Sequence, residues 1–425
     1  MAADAAVTAP QRHPRQSRPV VVVGIGADGW DGLARASQEA LGRADVVIGS
    51  RRQLALLPGL DAEQLVWPSP MLPALPGLFD THGRREVCVL ASGDPMFHGI
   101  GTTLVRVLGR DRVRVLPHPS SASLACARMG WPLDRVTVRS LVHRSVTTLV
   151  PDLTDGAQLL VLSQDAGTVA EVVALLDGHG FGPSEVSVLS QLGGPAEARQ
   201  DGRAQSWAHP DPDPLNVVAV RCHAGPDVLR ATRTPGLADE SYTGDGQMTK
   251  SEVRALTLSA LAPAPGELLW DVGGGSGTIA IEWMRADPRC RAVTFERDPL
   301  RQAQIGVNAA HLGVPALTVA GTAPGAFTDH PTPDAVFVGG GLTQPGLLDA
   351  CWGALPVGGR LVVNAVTAES EAVALAWFAR HGGALRRFQV HRGEPLGGFT
   401  TWRPQLPVTQ WSVRKAAGSK TGAQS

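Results

Sequence analysis

Lysine is nearly missing from this 425-residue sequence: Lys250, Lys415 and Lys420 are its only three. The other basic side chains are arginines, which suit paired recognition of carboxylates, although a bias in base composition explains the same usage. An excess of charge is also lacking. With 38 Lys and Arg against 39 Asp and Glu, the net charge is −1, so no bulk attraction to nucleic acid or to an anionic membrane is implied. No Arg- and Lys-rich stripe with interleaved aromatics is present, which argues against an RNA-binding surface. No stretch reaches about 18 uninterrupted apolar residues, and residues 1–18 lack the apolar core of a signal peptide. That segment reads as a disordered extension. The cysteines, Cys88, Cys126, Cys222, Cys290 and Cys351, are scattered, odd in number and never spaced as CxxC. A disulfide framework and a metal centre are therefore not expected, and a reduced, cytoplasmic protein is.

What is present fits a soluble α/β protein with many tight turns: 43% hydrophobic residues, 18% charged, 49 Gly and 33 Pro. The length calls for two domains of roughly 200 residues each. Short apolar runs at 20–24, 45–48, 87–91, 113–116, 159–163, 186–189 and 217–220 alternate with helix-like segments. This βα alternation predicts mainly parallel sheets with ligands at the strand carboxyl ends. Residues 225–247, rich in Gly, Pro, Thr and Asp and without periodicity, read as a linker between domains at 19–224 and 248–414, and residues 415–425 as a disordered tail. Beyond the linker, Thr249-Lys250-Ser251-Glu252 has the pattern of a capping box, with Met248 and Val253 placed as a hydrophobic staple, so a helix is expected to start at Thr249. Further strands are expected at 268–272, 291–295, 317–320, 335–338 and 360–364, with a last antiparallel one at 408–413.

In the second half, Asp271-Val272-Gly273-Gly274-Gly275-Ser276-Gly277 lies between an apolar strand and a helix at 278–285, where backbone must approach a ligand closely. The spacing is GxGxG, and Thr278 stands where a dinucleotide fingerprint needs its third glycine. This favours S-adenosylmethionine over NAD. Glu296, 25 residues after Asp271, closes the next strand, where a carboxylate can accept from both ribose hydroxyls. Asp271 can brace the turn. Thr249 can serve as an N-cap or face the cofactor.

In the first half, glycine-rich loops follow two strands: Gly24-Ile25-Gly26-Ala27-Asp28-Gly29, and Gly93-Asp94-Pro95 with its continuation to Gly101. The lysine of a phosphate loop is absent, and Gly93-Asp94-Pro95 reads as a turn that can set a carboxylate at the sheet edge. His98, His118 and His143 lie near these loops without metal-ligand spacing and read as ordinary polar residues.

From Met248 onward the strings TKSEVRAL, LLWDVGGGSGTIAIEWMR, TFERDP, GTAPGAF, PDAVFVGGG and GGRLVVNAVT resemble the decarboxylating precorrin methyltransferases that act at carbon 15. Residues 20–223, through VVVGIGADG, ASGDPMFHGIG, SSASLACARMGW and LNVVAV, resemble the tetrapyrrole methylases that act at carbon 5. These resemblances imply a tetrapyrrole methylase fold of two α/β subdomains followed by a Rossmann-like class I methyltransferase fold. They imply two S-adenosyl-L-methionine sites. Gly93, Asp94, Ser120 and Ser121 would line the first, with the Gly24–Gly29 loop bordering the tetrapyrrole. Thr249, Gly273, Gly274, Gly275, Ser276, Gly277, Glu296 and Ala323 would form the second, with Thr322 where the family often has an Asp facing the adenine.

The function so implied is methylation of precorrin-6B at carbons 5 and 15 with loss of the ring C acetate carboxylate, giving precorrin-8, by a homo-oligomer without a metal, a nucleic acid or a membrane partner. Arg51, Arg52 and Arg144 are candidate anchors for the carboxylate arms of the substrate. The alternatives are an RNA or protein methyltransferase whose N-terminal half is regulatory, and a non-catalytic tetrapyrrole-binding protein. No residue is singled out as catalytic.

Overall fold

The computed structural model describes residues 18–417 other than Ala231 and Gln247. Most of the two expected disordered ends lies outside these residues. Within them Lys415 is anchored, its ammonium donating to the carbonyls of Trp352 and Leu355, both at 2.6 Å. The chain divides into two compact units. The first comprises the residues up to His143 with Gly156–Asp177 and Gly182–Cys222. The second comprises Arg144–Asp155, Gly178–Phe181 and the residues from His223 onward.

The first unit holds two five-stranded sheets. Strands β1 (Val20–Ile25), β2 (Val46–Gly49), β3 (Glu63–Val66), β4 (Val87–Ser92) and β5 (Val113–Leu116) form a parallel sheet in the order β3-β2-β4-β1-β5. Alternate side chains feed two cores: Val20, Val22, Ile48 and Val89 pack with Leu75, Phe79 and Leu104, while Val23, Ile25, Val47 and Leu90 pack with Leu33, Leu41 and Leu54. A parallel sheet covered on both faces requires such continuous apolar runs.

Strands β6 (Thr137–Ser140), β7 (Gln158–Leu162), β8 (Glu185–Ser190), β9 (Ala198–Arg203) and β10 (Asn216–Arg221) form the second sheet, in the order β6-β7-β10-β8-β9. Here the expectation of parallel pairing fails. Only β6 and β7 run parallel; β10 is antiparallel to both β7 and β8, and β9 to β8. A buried apolar run looks the same whichever way its neighbour runs. Strands β3, β6 and β9, which the sequence does not announce, all lie at sheet edges, where part-exposed polar residues break the apolar signal.

The second unit is built on a seven-stranded sheet in the order β13-β12-β11-β14-β15-β19-β16, formed by β11 (Leu268–Val272), β12 (Arg291–Phe295), β13 (Thr318–Ala320), β14 (Ala335–Val338), β15 (Arg360–Ala365), β16 (Ala384–Phe388) and β19 (Val408–Arg414). Strands β11 to β15 are parallel and β19 is antiparallel to both of its neighbours, a Rossmann-like arrangement with the expected last strand. A hairpin of β17 (His391–Leu396) and β18 (Phe399–Pro404) forms a separate two-stranded sheet.

Two local expectations need correction. The helix after the linker is Ser251–Leu261 with Lys250 at its N-cap and no side-chain cap, so the Thr249–Glu252 capping box does not form. The Glu252 carboxylate pairs with Arg392 at 2.8 Å in a charge-assisted bond. The segment read as a linker is packed into the second unit: Leu237 and Tyr242 are buried in its core. The buried Glu282 carboxylate accepts from the amides of Gly236 and Leu237 at 2.6 and 3.1 Å, from the Tyr242 hydroxyl at 2.9 Å and from Arg254 Nε at 2.6 Å. A buried carboxylate needs such donors, and the unpaired backbone of an irregular segment supplies them. Among the described residues no helix is long and apolar enough to cross a membrane.

Candidate active sites

In the second unit a cavity of about 980 Å³ opens where β11, β12, β14 and β15 end at their carboxyl termini. Gly273, Gly274, Gly275 and Ser276 form one wall, and Thr249, Glu296 and Ala323 also face it. Gly273 has φ +80°, and a Cβ there would stand 2.7 Å from the Gly340 amide nitrogen, so only glycine lets these two turns pass each other. Glu296 is buried: its Oε2 accepts the Gly275 amide at 2.9 Å and its Oε1 the Asp298 amide at 3.0 Å. A carboxylate has about four acceptor positions, so each oxygen can still accept a hydroxyl from the cavity.

Asp271 lies beneath the turn, accepts the Ala280 amide at 3.3 Å and braces the start of the helix Thr278–Ala286. Burial, with the nearby Glu296 charge adding to it, pushes its carboxyl up to about 7 against the bonds from Ala280 and Thr294. Gly277 is not on the cavity wall. It occupies the N-cap of that helix with φ +78°, where a Cβ would stand 2.8 Å from Ile305. Thr249 reaches the wall because Arg254 Nη1 holds its carbonyl at 2.5 Å; Gln344 donates to the Ala323 carbonyl at 3.3 Å. Thr322 also faces the cavity.

The cavity has members that the sequence did not single out: Lys250, Arg297, Arg301, Arg392 and Asn364. Arg301 pairs with Asp245 at 2.7 Å and Arg392 with Glu252. The Asn364 amide is oriented by a buried set. Thr257 gives its hydroxyl proton to the Val253 carbonyl at 2.7 Å and therefore accepts from Asn364 Nδ2 at 2.9 Å, while Gln410 donates to Asn364 Oδ1 at 3.1 Å. Only the position of Asn364 at the end of an apolar run hinted at this role.

The first unit gathers Gly93, Asp94, Ser120 and Ser121 at the carboxyl ends of β4 and β5. Gly93 has φ +56°, and a Cβ there would stand 3.2 Å from Ser120 Cα and 3.5 Å from the Ser121 amide. Asp94 Oδ1 accepts the Met96 amide at 2.8 Å, and Ser120 caps the helix Ser121–Met129 through the Ser123 amide at 3.1 Å. The three arginines proposed as anchors are all exposed; Arg52 donates to Ser92 Oγ at 3.0 Å beside Gly93, and Arg144 belongs to the second unit. His118 has a carboxylate neighbour. Its Nε2 stands 3.3 Å from Asp28 Oδ2, a partnership across 90 residues that no local pattern could signal. Among the described residues no group of three His, Cys, Asp or Glu could hold a metal ion.

Residues 19–207 match the family described as tetrapyrrole (corrin/porphyrin) methylases, and residues 240–415 match the precorrin methyltransferase domain. A Mycobacterium tuberculosis protein (strain ATCC 25618 / H37Rv), precorrin-6Y C(5,15)-methyltransferase (decarboxylating), is 54% identical over 400 residues, covering 93% of this chain and 100% of the relative. The Sinorhizobium sp. protein of the same name is 45% identical over 398 residues, covering 93% and 96%. The solved C-terminal domain of precorrin-6Y C5,15-methyltransferase from Rhodobacter capsulatus is 46% identical, covering 43% of this chain and 100% of that one, with a TM-score of 0.42. Since so similar a relative is matched over its whole length, the chain belongs to the family of decarboxylating precorrin-6Y C(5,15)-methyltransferases.

Proposed function

We propose that the chain methylates precorrin-6B at carbons 5 and 15 and removes the ring C acetate carboxylate as carbon dioxide, giving precorrin-8. Both methyls come from S-adenosylmethionine, held at one site in each unit. The first unit serves carbon 5. The second serves carbon 15 and the decarboxylation. The observation that carries this reading is the cavity of the second unit, where the glycine turn after β11 and the Glu296 carboxylate meet a wall bearing Lys250, Arg297, Arg301 and Arg392. A cofactor with a ribose suits the first pair, and a substrate with many acetate and propionate arms suits the second set.

The residues present fit the methyl donor. The turn at Gly273–Gly275 keeps backbone in place of side chains on the wall, and Glu296 retains acceptor capacity on both oxygens. Bound there, the sulfonium supplies an electrophilic methyl. The protein then has to hold the nucleophilic carbon in line with it, at about 3 Å. Cations on the wall fix the arms of the macrocycle, and the Asn364 amide, held by Thr257 and Gln410, offers a rigid polar contact. Loss of carbon dioxide would leave an electron pair that conjugation delivers to carbon 15, where it would form the bond to the methyl as the carbon–sulfur bond breaks and its pair passes to sulfur. In this reading the protein is a cytoplasmic homo-oligomer, the compartment resting on the scattered cysteines.

The test is mass spectrometry of precorrin-6B incubated with the purified chain and S-adenosylmethionine. Two added methyls with loss of carbon dioxide are expected. An unaltered substrate, or one methyl with the carboxylate retained, defeats the proposal.

A further inference from the structure

Transfer of a methyl cation to a carbon that carries hydrogen leaves one proton to be removed, and the polar groups of the first unit differ in their freedom to take it. Asp94 Oδ1 holds the Met96 amide, and Ser120 caps a helix. Asp28 is differently placed. It sits at the N-cap of the short turn Gly29–Gly32, yet its side chain makes no cap bond, and its Oδ1 is buried without a partner. A carboxylate oxygen kept from water and left without a donor costs stability unless something else requires it.

Its other oxygen faces His118. Asp28 follows β1 and His118 follows β5, adjacent parallel strands, so the pair stands at the carboxyl ends where such sheets bind ligands. The His118 side chain is 8% exposed and that of Asp28 30%. Glycines keep the space around the pair: a Cβ on Gly26 would stand 2.8 Å from His118 Nε2, one on Gly24 2.7 Å from the His118 amide, and one on Gly32 would overlap the Asp28 carboxylate.

We propose that Asp28 and His118 are the acid–base pair of carbon-5 methylation; this rests on the assignment of carbon 5 to the first unit. With Nε2 beside the carboxylate at 3.3 Å, the tautomer protonated there leaves the lone pair on Nδ1. A π pair of the macrocycle forms the bond from carbon 5 to the methyl while the carbon–sulfur bond breaks, its pair passing to sulfur. The carbon 5–hydrogen bond then breaks, its pair returns to the conjugated system, and the proton goes to His118 Nδ1. Asp28 holds the ring and stabilises the imidazolium, which later releases the proton to water.

The experiment uses the full chain with precorrin-6B and S-adenosylmethionine, scoring carbon-5 and carbon-15 methyls separately by NMR of the product. His118→Ala is expected to lower kcat for carbon 5 by roughly 10²- to 10⁴-fold with KM unchanged and carbon-15 methylation intact, and added imidazole is expected to restore the rate in proportion to its concentration. Asp28→Asn should lower the same kcat by a smaller factor. Wild-type kcat in His118→Ala, a rise in KM alone, or failure of imidazole to rescue a folded variant overturns the proposal. Should His118→Ala not fold, Asp28→Asn decides: wild-type kcat at carbon 5 overturns the pair, and a lowered kcat with unchanged KM upholds it. A wild-type chain that never methylates carbon 5 instead refutes the function on which the proposal rests.

Discussion

Glu296 Oε2 accepts the Gly275 amide at 2.9 Å, which ties the end of β12 to the turn after β11. The carboxylate therefore shapes the turn as well as facing the cavity. Glu296→Ala is expected to weaken S-adenosylmethionine binding in the second unit by about 1.5–3 kcal/mol, roughly ten- to more than a hundredfold. Glu296→Gln keeps an oxygen for Gly275 and should fall between. Calorimetric titration checks both, and unchanged affinity in the alanine variant would leave Glu296 with the turn alone.

Gly275 has φ +57°, a conformation that valine adopts only under strain. Gly275→Val should therefore abolish carbon-15 methylation and leave the ring C acetate in place while carbon-5 methylation continues. Asp94→Ala removes the acceptor of the Met96 amide and should give the reverse: carbon 5 unmethylated and the acetate lost. Product NMR distinguishes the two. Carbon dioxide release in Gly275→Val would separate decarboxylation from the second unit.

Burial raises the Asp271 carboxyl from 3.8 to about 7. Between these values the unfolded chain has lost the proton that the folded chain keeps, so the stability tied to this group is complete below about pH 4 and is lost as pH rises through 7. Asp271→Asn should flatten that fall. Thermal melts of both proteins from pH 5 to 8 are expected to diverge in slope; parallel curves would mean that Asp271 is ionised at neutral pH in the fold.

The packed segment before the helix Ser251–Leu261 decides where the C-terminal part of the second unit, from His223 onward, can be cut. Arg233 Nη1 donates to the Arg285 carbonyl at 2.8 Å, and the Gly236 amide donates to Glu282 at 2.6 Å. A fragment of residues 223–425 keeps both bonds, whereas one of residues 237–425 lacks both and leaves a buried carboxylate short of a donor. The shorter fragment should melt about 2–12 °C below the longer one, given about 1–3 kcal/mol for an unmet buried group. Equal melting temperatures would return the segment to the status of a linker.

Strands β11, β12 and β14 follow the expected bounds residue for residue, and the turn between β11 and its helix stands where the glycines place it. Fully buried parallel strands leave a continuous apolar run, and a turn that must admit a ligand leaves glycines; both marks are local, so the sequence alone determined the Rossmann-like half, the position of its glycine turn and Glu296 at the end of the next strand. What depends on partners distant in the chain was decided by tertiary structure. The direction of β10 against its neighbours, the edge strands β3, β6 and β9, the capture of residues 236–242 by Glu282, and the pairing of Glu252 with Arg392 all belong to that class. So does the meeting of Asp28 with His118. Pairing of charges and of strands is settled by which groups share a space once the backbone has closed, and periodicity along the chain carries no record of that.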